Sequence, residues 1–93
     1  METIQNKILK AGLRFEENCI AKNCSWHTIE KIIHPILSKT SKHADEKHYQ
    51  NLLGVLAVLE DSQTEAEFAE KMVAAYPEDL KDLDIATLLE KKG

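Results

Sequence analysis

Apolar residues recur near the start of the chain at Ile4, Ile8, Ala11, Phe15 and Cys19, spacings that put them on one face of an α-helix. Thr3 offers an N-cap and Asn23 a C-terminal stop, so the pattern predicts a helix over about 3–22. Leu9, Leu13 and Ile20 fall on an adjoining face, which leaves the side carrying Lys7, Lys10, Arg14 and Glu17 polar. A helix with two apolar faces either lies between two neighbours or offers one face to a second copy or a partner. Leu9, Leu13 and Ile20 are the candidates for such a contact.

The next periodic stretch begins after Ser25, a good N-cap, and runs over about 26–37. Trp26, Ile29, Ile32, Ile33, Ile36 and Leu37 share one side, and His27, Glu30, Lys31 and His34 form the wet one. Pro35 lies within this pattern and is expected to kink or end the helix, because its ring removes a backbone donor. The polar run from Ser38 to Lys42 reads as a loop.

A third helix is predicted over about 44–60. Its residues Tyr49, Leu52, Leu53, Val55, Leu56, Val58 and Leu59 make it apolar almost all round, the mark of a central helix, and Gly54 suggests a close approach by a neighbour. Thr64 and Glu67 form a capping box that starts a fourth helix over about 65–76, with Phe68, Ala69, Met72, Val73 and Tyr76 facing inward and Pro77 ending it. The last predicted stretch, about 78–90, combines a short turn of helix over 78–83 with a final one capped by Asp84. No stretch alternates like a β-strand. The expected fold is all-α, a bundle of four to five short helices forming one domain over residues 1–93.

Composition adds limits. Ninety-three residues, 43% hydrophobic and 30% charged, suit a small folded domain. The longest apolar run, Leu52 to Leu59, is far shorter than the roughly 20 residues that cross a bilayer, and the first ten residues lack the apolar core of a secretory signal. A cytoplasmic protein with no membrane association is therefore expected. Cys19 and Cys24 are expected to be free thiols, since a bridge between them closes only a tiny loop.

Charge divides the chain. Residues 1–50 carry eight basic against six acidic side chains and all four histidines, whereas residues 51–93 carry four lysines against ten carboxylates. Within the second half, Glu60, Asp61, Glu67, Glu70, Glu78, Asp79 and Asp82 are read as an acidic surface that steers a basic protein partner, with Tyr76 and Leu80 as exposed anchors.

The sequence carries the elements of two other chemistries. Cys19 and Cys24 with His43 and His48 have the pair spacings of a Cys2His2 zinc site, though the gap between the pairs is longer than usual and Cys19 belongs to an inner helix stripe. Lys39, Lys42 and Lys47, among several histidines, form a local basic stretch that could meet nucleic acid or respond to pH near 6, but the net charge of −4 opposes phosphate binding. For catalysis, Glu30 and His34 lie on a polar face, the adjacent acidic doublets point apart, and three scattered glycines build no phosphate loop. The sequence reading is thus a non-enzymatic protein-binding regulator, inhibitor or adaptor without a cofactor, able to form a homodimer. A zinc protein is the second reading and a nucleic-acid-binding regulator the third.

Overall fold

The computed structural model describes residues 2–43 and 45–90. Within these the chain is all-α, with α1 over Ile4–Ala21, α2 over Trp26–Leu37, α3 over Glu46–Glu60, α4 over Glu65–Ala75 and α5 over Ile85–Glu90. The Ala44 start expected for the third helix lies outside the described residues. The predicted stretch over 78–90 is shorter than expected: residues 77–82 form turns closed by Leu80 N–H to Tyr76 O and Leu83 N–H to Leu80 O, and the helix begins only after Asp84.

Local signals account for most boundaries. Thr3 Oγ1 accepts from the Asn6 amide, Asp45 from the His48 amide, Thr64 from the Glu67 amide and Asp84 from the Thr87 amide, so four helix starts carry a side-chain cap. Glu67 completes the capping box by accepting from the Gln63 amide. At the end of α1, Asn23 adopts φ 56°, its amide reaches Ile20 O, and the Cys24 amide reaches Cys19 O at 2.9 Å. These paired bonds form a Schellman closure with asparagine in the left-handed position usually held by glycine. Ser25 differs from expectation: its side chain makes no cap bond, and its own amide donates instead to Glu65 Oε2. Pro35 neither ends α2 early nor stops its last bond, since Ser38 N–H still reaches His34 O.

The helices alternate in direction. Lys7 sits over the Tyr49 ring at the start of α1 and α3, while the Lys22 ammonium donates to Leu59 O at their far ends, so these two helices run the same way. Asn51 Nδ2 donates to Ile36 O, and Ser25 meets Glu65, so α2 and α4 run oppositely to α1 and α3. As expected, α3 is central: it packs on α1, α2 and α4, most extensively on α1.

The core is built from Phe15, Ile29, Ile32, Ile36, Val55, Leu56, Leu59, Phe68, Met72 and Leu80, with Phe15 edge-on to Phe68 at 6.3 Å between ring centroids. The molecule measures 44 × 28 × 19 Å. Its shortest dimension is about two helix diameters, so each helix has an outward face.

Candidate interaction surfaces

The outward face of α1 is apolar. At about 100° per residue, Leu9, Leu13 and Ile20 occupy an arc of roughly 40° centred about 140° from buried Ala11, Phe15 and Cys19. Among the described residues no second neighbouring helix covers them: Leu9 is 62% exposed, Leu13 50% and Ile20 70%. Single exposed leucines are ordinary, whereas several large apolar side chains on one helix face mark a contact surface. Glu16 and Glu17 stand between Leu13 and Ile20, both exposed and neither in an ion pair among the described residues. A fourth large side chain, Trp26, is 51% exposed, although its position on the wheel predicted an inward one. It occupies the first turn of α2, where only part of the ring reaches Phe15, 6.4 Å away between centroids.

The acidic half is less free than its composition implies. Arg14 pairs with Glu60 at 2.6 Å, Lys71 with Asp61 at 2.9 Å and with Glu67 at 3.3 Å, and Lys39 with Asp79. Glu65 is 4% exposed and grips the α1–α2 turn from the first turn of α4. It lies where the positive ends of α2 and α4 converge, a position that suits a carboxylate. Glu70, Glu78 and Asp82 are the members of the expected surface that remain exposed without an ion pair among the described residues. Leu80, expected to be an exposed anchor, is 2% exposed and belongs to the core, because the turns after Pro77 fold it back under the bundle. Tyr76 is half-buried, with its hydroxyl over Gly54.

The four residues of the zinc reading do not meet. Cys19 and Cys24 lie at the end of the bundle where Lys22 reaches Leu59, whereas His48 opens α3 and bonds Thr40 Oγ1 at 3.0 Å. The eleven helical steps of α3 from His48 to Leu59 correspond to about 16 Å. Among the described residues no group of three or more His, Cys, Asp or Glu side chains is placed to hold a metal ion. Of the basic stretch, Lys39 is held by Asp79, and Lys42 and Lys47 are exposed. Lys39 and Lys47 rim an open depression of about 510 Å³ shared with Asn51 and Tyr76. His27 and His34, with Glu30, line the outer side of α2 as expected. No described helix is long and apolar enough to cross a membrane.

The buried position of Glu65 and the pairing of Glu60 and Asp79 escaped the sequence reading. Their partners Ser25, Arg14 and Lys39 are separated from them by 40 residues or more. Comparison with known proteins adds no name to these surfaces: no family model matches the chain, and no curated protein or solved structure gives a significant match.

Proposed function

We propose that this chain is a non-enzymatic protein-binding module of the cytoplasm, acting as a regulator, inhibitor or adaptor. The outer face of α1 docks an apolar partner surface that carries basic residues opposite Glu16 and Glu17. The observation that carries this reading is the uncovered row of Leu9, Leu13 and Ile20 on a helix whose other side is already packed. Burying these three side chains on a partner would contribute on the order of 3–5 kcal/mol. The net charge of −4, with Glu70, Glu78 and Asp82 exposed, favours approach by a basic protein.

Affinity capture tests this with three proteins: wild type, a Leu9→Ser/Leu13→Ser variant, and a Glu70→Lys/Glu78→Lys/Asp82→Lys variant. The expected result is a discrete partner retained by wild type and lost from the leucine variant while the melting temperature holds. The charge variant should associate more slowly, most visibly at low salt. An identical set of bound proteins for wild type and the leucine variant overturns the reading.

A further inference from the structure

The two cysteines occupy a specific pair of positions. Cys19 stands in the last turn of α1 and Cys24 is the residue just before the Ser25 cap of α2. The Schellman closure brings these two positions side by side, and in most such closures the contact between them is made by apolar side chains. Here both are thiols: Cys19 is 2% exposed and Cys24 is half-buried against the same core. No disulfide joins them in the structure. A disulfide needs Cα atoms about 4.4–6.8 Å apart, a separation compatible with residues joined by the 2.9 Å bond from the Cys24 amide to Cys19 O.

We propose that Cys19 and Cys24 are a reversible dithiol modification site, converted to an intramolecular disulfide by low-molecular-weight disulfides such as oxidised glutathione. The half-buried Cys24 reacts first. Its thiolate attacks one sulfur of the small disulfide, forms a mixed disulfide and expels one small thiolate, which takes up a proton. Cys19 then loses its proton to solvent and attacks the Cys24 sulfur, expelling the second small thiol. Two protein thiols and one small disulfide thus become one protein disulfide and two small thiols. The order follows from environment: burial, reinforced by Cys24, pushes the Cys19 thiol up to about 12, so Cys19 is not the first nucleophile.

The bridge would fasten the α1–α2 turn at the end of the bundle where Glu65 also grips it through the Ser25 amide. It lies apart from the exposed Leu9 and Leu13.

Intact-mass measurement after incubating the folded protein with mixed reduced and oxidised glutathione decides this. The expected product is a monomer lighter by two hydrogens, at a yield independent of protein concentration, and restored by excess reduced glutathione. Cys19→Ala should instead accumulate one glutathione adduct, mapped to Cys24. The wild-type mass alone is decisive even if that variant folds poorly. A stable glutathione adduct on wild type, a disulfide-linked dimer, or an unchanged mass each overturns the proposal.

Discussion

The hydroxyl of Tyr76 lies 2.8 Å from where a Cβ would stand on Gly54, so the α4 C-terminus closes over α3 only because position 54 has no side chain. Gly12, in the middle of α1, has nothing within 4 Å of the same imagined atom. Alanine is favoured over glycine inside a helix by about 0.5–1 kcal/mol. Gly12→Ala should therefore raise stability by about that amount in urea titration. Gly54→Ala should not, because its helix gain is offset by displacing the phenol. In a Tyr76→Phe background the Gly54→Ala gain should return, and a double-mutant cycle showing no coupling between the two positions would refute the contact.

Capping gives a second contrast. Thr64→Ala removes an acceptor for the Glu67 amide and is expected to cost about 1 kcal/mol, whereas Ser25→Ala, at a residue whose side chain makes no cap bond, should cost only a few tenths. The bond that holds the Ser25 end comes from Glu65, and Glu65→Ala should cost about 1–3 kcal/mol by leaving a part-buried amide without its acceptor. Equal losses for Ser25→Ala and Thr64→Ala would show that the side chain of Ser25 caps after all.

These caps also show how much of the fold was legible in the sequence. Thr3, Asn23, Thr64 and Asp84 do what their residue types suggest, because each acts on backbone within a few positions of itself. The apolar periods of α1 and α3 likewise found the core, and Gly54 announced a close approach. Legibility ended where tertiary packing decides. Trp26 has an inward wheel position but stands in the first turn of its helix, and Leu80 has a polar neighbourhood in sequence but is folded inward by turns. Glu60 and Asp79 look like free surface acids until α1 and the loop after α2 bring Arg14 and Lys39 to them. The second apolar row on α1 was visible from spacing, whereas its lack of a covering helix was not.

Acid and base should affect stability at opposite ends of the pH scale. Glu67 is held below the usual carboxylate range, first by the Gln63 amide and then by Lys71, and Asp84 is held down chiefly by the Thr87 hydroxyl and amide. A depressed carboxyl contributes stability above its unfolded value and loses it as pH falls through the folded one. Lys71 is shifted upward, first by its hydrogen bond to Asp61, so its contribution is present below the ordinary lysine value and is lost as pH rises through the folded one. The Cys19 thiol, pushed up to about 12 by burial, adds a loss that sets in earlier, as pH reaches its ordinary thiol value, so stability should be level between about pH 5 and 8 and decline on both sides. Relative to wild type, Glu67→Gln should be weaker at pH 7 and converge with it as pH falls through the depressed folded value of Glu67, read by thermal melts across the range. A constant gap at all pH values would contradict this assignment.

The central claim is that the outer face of α1 is a protein-docking surface, and site-specific photocrosslinking in cells tests it most directly. A photoreactive side chain replaces Leu13 on that face or, as a control, exposed Ala57 on α3. The account predicts a discrete protein adduct at position 13 that is absent at position 57 and is lost when Glu16→Lys/Glu17→Lys is added. No adduct at position 13, or the same adducts at both positions, would contradict it.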